Sequence, residues 1–166
     1  MKIKLTKIKK NNVSQKWIAW LNDKEVTRFS KNRFKKHTLK SQKKFLSQKL
    51  KTKDSILFKI FYNASHIGII EIGKINKIKN DCYISYFIGE KKYWNKGIGT
   101  KVISEIKKII NTNLKINRIY AGTYSNNIGS ISILKKNKFT LFKKIPNFYK
   151  YRSRKVGKTV LLCTKL

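Results

Sequence analysis

Acidic residues are nearly missing from this chain. Seven Asp and Glu face 41 Lys and Arg over 166 residues, a formal charge of +34 at neutral pH. Proline occurs once and glycine eight times, which leaves little room for a long flexible linker. Cys82 and Cys163 lie outside any CxxC or Cys/His spacing. Neither a zinc site nor a disulfide framework is indicated, and no metal is expected. No apolar run nears the ~20 residues of a membrane span. Met1–Lys10 alternates Lys with Ile and Leu instead of building a signal-peptide core, so a cytoplasmic chain is the expectation. An internal repeat, an RNP-like aromatic pattern and a zinc-finger spacing are also lacking. What is present is ample Ile and aromatic content, 40% hydrophobic and 12% aromatic, which excludes wholesale disorder. The length suits one domain over 1–166.

The charge has two readings. Lys and Arg release counterions from phosphates, which invites nucleic acid. The lysines are spread along the whole chain, however, and the longest runs are short, such as Lys9-Lys10 and Lys107-Lys108. A dedicated basic tail would be a block. Nucleic acid is therefore not the expected partner, and the charge favours an anionic small ligand without naming it.

Periodicity places the elements. Lys2–Ile8 alternates as a first strand, and Val13–Leu21 has near-helical apolar spacing with Asn12 as N-cap. Val26–Lys36 reads as a loop. Leu39–Leu50 reads as a second helix, capped by Thr38, with Leu39, Phe45, Leu46 and Leu50 inward. Strands follow at Ser55–Tyr62, His66–Ile75 and Cys82–Ile88. An amphipathic helix starts at Gly97. Asn117–Tyr124 is a strand, Asn127–Asn137 a helix, and Phe139–Ile145 and Val156–Leu166 are strands. This order describes an α/β domain with a mixed sheet, antiparallel in the middle and crossing over through the Gly97 helix.

The most informative stretch is Trp94-Asn95-Lys96-Gly97-Ile98-Gly99-Thr100. A strand delivers the chain to a glycine turn that opens a helix, where unpaired N–H groups and the positive dipole end suit phosphate. The same two glycines also suit a plain helix start. The GxGxxG register and a P-loop Lys-Ser/Thr are absent, which argues against dinucleotides and nucleoside triphosphates. A second block, Asn127-Ile128-Gly129-Ser130 with Lys136 and Phe139, follows the strand ending at Tyr124. Together the two blocks resemble the GCN5-related N-acetyltransferase superfamily. The branch most resembled includes the ribosomal-protein alanine acetyltransferases, to whose first-helix segment Trp20–Thr27 is also similar. Lys138 stands where that pattern usually has Gly.

The resemblance implies a single mixed, mostly antiparallel sheet of about seven strands with about four helices and a splayed central strand pair. It implies acetyl-CoA as co-substrate in the split between Cys82–Gly89 and Asn117–Tyr124. The pyrophosphate would lie on the main chain of Lys96, Gly97, Ile98, Gly99 and Thr100, beside Trp94 and Asn95. The pantetheine arm would pair with Phe87, Ile88 and Gly89 as an added strand. Asn127 and Ser130 would flank it.

Amide formation needs a neutral amine, a polarised carbonyl and a proton for the departing thiolate. Glu71, Glu90, His37 and Tyr124 are the bases on offer. Glu71, between Ile70 and Ile72, points away from both, toward either a solvated sheet face or the site. Glu90 reads as a connector charge. His37 reads either as a substrate contact or as a surface residue beside a cap. Relatives often place a Tyr acid on the Asn-x-x-Ser helix, where this chain has Leu134. Tyr86 and Tyr124 sit on strands beside the split, where Tyr rings usually pack. The expected catalytic set is Glu71, Tyr124 and Asn127. The loop Thr27–Thr38 is similar to enzymes encoded with surface-polysaccharide genes, whose acceptors are amino sugars on nucleotide carriers. There Arg28, Ser30, Arg33 and His37 would meet substrate, with Lys36 as a further cation. The expected function is N-acetylation of a small-molecule primary amine, with a homodimer among the expected states. A ribosomal-type N-terminal acetyltransferase and a non-catalytic basic nucleic-acid-binding domain are the alternatives.

Overall fold

The computed structural model describes residues 2–9, 13–145, 150–151, 154–155 and 159–166. Strand β1 (Ile3–Lys7) leads into α1 (Gln15–Asn22). The cap of α1 is Ser14, whose Oγ accepts from Trp17 N at 3.2 Å; Asn12 lies outside the described residues. Helix α2 (Leu39–Lys51) starts in a capping box, with Thr38 and Ser41 each bonding the other's backbone N–H. Strands β2 (Ile56–Tyr62), β3 (Ser65–Asn76) and β4 (Asp81–Ile88) form an antiparallel meander. Its first turn puts Asn63 and Ala64 at positive φ, 45° and 65°.

Helix α3 (Ile98–Ile109), ending in a π turn over Ile110–Leu114, carries the chain across to β5 (Arg118–Tyr124). Then come α4 (Ile128–Lys136), β6 (Thr140–Ile145), the two-residue strands β7 (Lys150–Tyr151) and β8 (Arg154–Lys155), and β9 (Thr159–Lys165). The expected last strand was longer, but its first residues, 156–158, fall outside the described set. The main sheet runs β1-β2-β3-β4-β5-β9-β6. Every neighbouring pair is antiparallel except β4 and β5, which the α3 crossover makes parallel.

Two apolar layers sandwich this sheet. On one face Ile98, Val102, Ile103, Ile106 and Leu134 of α3 and α4 pack on Ile60, Ile70, Ile72, Ile84 and Ile119. On the other, Trp17, Trp20 and Leu21 of α1 and Leu46 of α2 cover Leu57 and Ile69. The inward face of α2 differs from expectation. Gln42 and Leu46 are buried there, whereas Phe45 and Leu50 are 36% and 37% exposed. Helix α2 buries only a narrow stripe against β2 and β3, and Phe45 instead borders the cavity described next.

Candidate active site

Strands β4 and β5 pair only from Asp81↔Arg118 to Ile84↔Ala121. Beyond that point Ser85–Ile88 stays paired to β3 and Gly122–Tyr124 to β9, so the two strands diverge. The gap is a cavity of about 710 Å³ that passes through the sheet. Tyr86, Asn127, Ser130 and Ile133 line it on the α3/α4 face; Trp17, Leu21, Phe45, Leu57, Ile69 and Glu71 line it on the α1/α2 face. A donor and an acceptor can therefore meet from opposite sides of the sheet.

On the donor side the geometry of α3 is that of an anion cradle. Gly97 is the N-cap at φ 72°, ψ −1°, in the left-handed region, and a Cβ there would meet nothing within 4 Å. The first intrahelical bond runs from Lys101 N to Gly97 O at 3.3 Å, so the amides of Ile98, Gly99 and Thr100 precede the helical ladder and point off its end. Lys96 and Asn95 are exposed beside them, Asn95 also at positive φ, 57°. An open, cationic main-chain turn of this kind fits the paired phosphates of a coenzyme. Gly99 and Gly89 are required by packing. A Cβ on Gly99 would lie 2.6 Å from Ile133 Cδ1, and one on Gly89 would lie 2.1 Å from the Trp20 ring.

The edge of β4 is equally suited to an extended arm. Gly89 N–H bonds Ile67 O on β3 at 2.8 Å. By alternation Phe87 and Ser85 also turn their backbone groups to β3, while Tyr86 and Ile88 turn theirs into the split, so of the expected Phe87, Ile88 and Gly89 only Ile88 offers its main chain to an arm there. Trp94 Nε1 donates to Ile88 O at 2.8 Å, bracing the turn against the strand. Asn127 Oδ1 accepts from Ser130 N at 3.3 Å and its Nδ2 donates to Thr123 Oγ1 at 3.0 Å, so this amide caps α4. Ser130 Oγ lies 3.1 Å from Tyr86 Oη, and burial pushes the Tyr86 phenol up to about 12.

The acceptor side holds an acid in an apolar wall. Glu71 lines the cavity opposite Ser85 rather than facing open solvent. Its Oε1 accepts from Lys49 Nζ at 2.7 Å and Ser55 Oγ at 2.8 Å, which fix its orientation. Arg28 lines the opening with its guanidinium 4.5 Å from the Phe29 ring centroid. Ser30 lines it too, its Oγ accepting from Asn32 N at 3.1 Å.

Other expected contacts sit behind this wall. Arg33 donates to Arg28 O and lies over the rings of Phe34 and Tyr124. Tyr124 is buried, its phenol pushed up by burial, and it is not among the lining residues. His37 is buried as well. Its Nδ1 lies 2.9 Å from Gln42 Nε2 and its Nε2 3.1 Å from Asn32 O, which makes it a loop strut rather than a cavity contact. Glu90 accepts from the Trp20 indole at 3.2 Å and pairs with Lys16. Burial raises its pKa, but those two partners outweigh burial and hold it low. Lys91 ties Asp23 and Glu25 to the turn after β4 at 3.0 and 2.9 Å.

Sequence reasoning missed Trp17, Phe29, Gln42, Phe45 and Ser85 as lining residues. For Ser85 a signal existed, since it shares its strand face with Phe87. For the others the wall forms only when α1, α2 and the loop between them dock.

Comparison with known proteins agrees with this geometry. The family model described as acetyltransferase (GNAT) domain matches residues 3–140. The chain is 24% identical over 133 residues to acetyltransferase PseH of Campylobacter jejuni subsp. jejuni serotype O:23/36 (strain 81-176), covering 78% of each chain. Among solved structures it is similar to RimL, a ribosomal L7/L12 alpha-N-protein acetyltransferase in complex with coenzyme A. That match has a TM-score of 0.85 at 13% identity, covering 99% of this chain and 94% of the other. It is also similar to the microcin C7 self-immunity acetyltransferase MccE in complex with acetyl-CoA and AMP. Here the TM-score is 0.78 at 15% identity, with 92% and 86% covered.

Proposed function

Since the chain belongs to the GNAT acetyltransferase family and is an acetyl-CoA-dependent N-acetyltransferase, we propose that its acceptor is the primary amine of an amino sugar carried on a nucleotide. The observation that carries this reading is the acceptor mouth, where Arg28 stacks on Phe29 at the rim of the cavity. A guanidinium beside an aromatic face suits a diphosphate and a base, and the chain's charge of +34 draws anions to it. The similar fold of MccE, solved with acetyl-CoA and AMP, lends support.

In this reading the amides of Ile98, Gly99 and Thr100, with Lys96, hold the pyrophosphate of acetyl-CoA. The backbones of Tyr86 and Ile88 hold its pantetheine arm. Bound there, acetyl-CoA supplies an acyl group activated as a thioester. Glu71, oriented by Lys49 and Ser55, takes the proton of the acceptor ammonium, directly or through water. Asn127 fixes the first turn of α4 beside the reacting centre. Proximity in a closed split then contributes several kcal/mol of the acceleration.

The test is thiol release from acetyl-CoA with UDP- and dTDP-linked amino sugars set against N-terminal peptides. Turnover with a nucleotide-linked sugar and not with peptides supports the proposal. Turnover with peptides alone supports the second reading, a protein N-terminus, which the RimL likeness favours. The non-catalytic nucleic-acid alternative gives way to the acetyltransferase assignment. Among the described residues no helix is long and apolar enough to cross a membrane.

A further inference from the structure

We infer that the end of the sheet opposite the split is a docking surface for an anionic lipid bilayer, with Ile78 as the side chain that enters it. Ile78 is 98% exposed, more than any other large apolar side chain among the described residues. It stands at the tip of the β3–β4 hairpin between Lys77 and Lys79, both exposed. A single exposed isoleucine is ordinary on a surface, so the inference turns on how it is held and what surrounds it.

The tip is braced. Asn76 pairs with Asp81 across the hairpin, and its Oδ1 accepts from Lys79 N at 2.9 Å. Asn80, at φ 53°, accepts from Arg118 N at its carbonyl, 3.2 Å, and from Asn117 N at its Oδ1, 3.1 Å. Lys77 Nζ donates to Leu114 O. A fixed apex gives up little conformational freedom when it meets another surface.

Most of the charge around this apex has one sign. Ile75 N–H bonds Asp54 O at 3.0 Å, and Leu166 N–H bonds Asn117 O at 2.8 Å. These contacts bring Lys53, Lys115 and Lys165 to the same end as Lys77 and Lys79, all of them exposed. Asp54 and Asp81 are the acids beside them, and Glu105 on α3 is paired with Lys108. Leu166, 40% exposed, adds apolar surface. An aliphatic apex ringed by lysines fits acyl chains beneath anionic headgroups. It fits single-stranded nucleic acid less well, because bases ask for open rings to stack on. Tyr83, at the base of the hairpin, is already stacked on Tyr120 with Lys74 Nζ 5.0 Å from its centroid.

Docking here leaves the cavity free. Strands β4 and β5 start pairing beside the tip, at Asp81↔Arg118, and part only beyond Ile84↔Ala121. The split therefore opens away from the bilayer.

The test is co-sedimentation of the whole protein with phosphatidylcholine vesicles, with and without phosphatidylglycerol. The wild type should bind the phosphatidylglycerol vesicles, less so as salt rises, and leave the neutral ones in solution. Ile78→Asp should weaken binding about tenfold or more. Lys79→Gln and Lys165→Gln should each weaken it about fivefold. Lys40→Gln, exposed on the first turn of α2, should change it less than about twofold. All four side chains are exposed, so the variants should melt as the wild type does. Three results overturn the inference: no binding to anionic vesicles, binding that Ile78→Asp leaves unchanged, or an equal loss from Lys40→Gln. Binding to single-stranded RNA in place of vesicles overturns it as well.

Discussion

Replacing Gly97 with Glu puts a carboxylate into the turn proposed to receive the pyrophosphate. The residue is at φ 72°, and a Cβ placed there meets no atom within 4 Å. The first atom of the new side chain therefore meets open space. Its cost to the fold is the left-handed backbone, about 1–2 kcal/mol for a non-glycine residue, so the variant should fold with a melting temperature a few degrees lower. Its cost to binding is far larger, because the new side chain occupies the approach to the Ile98–Thr100 amides with a charge of the wrong sign. At a ligand concentration of 100 Kd, acetyl-CoA stabilises a binding-competent protein by about 2.7 kcal/mol. For a chain of this size that is a rise in melting temperature of roughly 5–10 °C. In thermal shift the wild type should show that rise and Gly97→Glu should show none. Gly97→Ala, with the same backbone strain and no charge, should fall between them. A full shift in Gly97→Glu would refute the placement of the phosphates.

Four further outcomes follow from the contacts. Gly89→Ala should destabilise by about 2–3 kcal/mol in urea unfolding, since its Cβ would sit 2.1 Å from the Trp20 ring; a neutral result would mean that ring is free to move. Lys138 adopts φ 66° at the end of α4, where its N–H bonds Lys135 O at 2.9 Å. Lys138→Gly should therefore stabilise by about 1 kcal/mol, and a loss of stability would contradict the strain argument. Glu71→Gln should lower kcat about 100-fold or more with little change in KM for acetyl-CoA, measured with the acceptor from the screen; unchanged kcat removes Glu71 from the chemistry. Burial, aided by Lys59, lowers the His66 pKa from 6.5 to about 4. The folded protein resists protonation there, so this residue's contribution is present above pH 6.5 and lost as pH falls through 4. His66→Phe, packed between Trp20 and Phe61, should show a flatter fall in urea midpoint over that range, and an identical slope would rule out this source.

Much of this fold is legible in local pattern because local pattern is what forms it. Alternation in Ile56–Tyr62 and the amphipathic run after Gly97 each bury one face, so their periods identify them. The Thr38 cap is equally local. The split is different in kind, since strand order β4-β5-β9-β6 is a tertiary outcome, and only the resemblance of two motifs pointed to it. The α1 cap is ambiguous in sequence because Asn and Ser cap equally well, and Asn11, Asn12 and Ser14 all precede the same apolar run. The role of His37 was illegible for a related reason: Asn22, Asn32 and Gln42 meet it only once the loop has closed. Glu71 showed its face in the sequence, but what it faces depends on how α1 and α2 dock.

The most direct test of the central claim is a crystal structure of the protein grown with CoA. The account predicts the pyrophosphate within hydrogen-bond distance of the Ile98, Gly99 and Thr100 amides. It also predicts the pantetheine along Tyr86 and Ile88, and the sulfur beside Ser130. CoA seated on any other surface, with the strand split closed or filled by side chains, would contradict it.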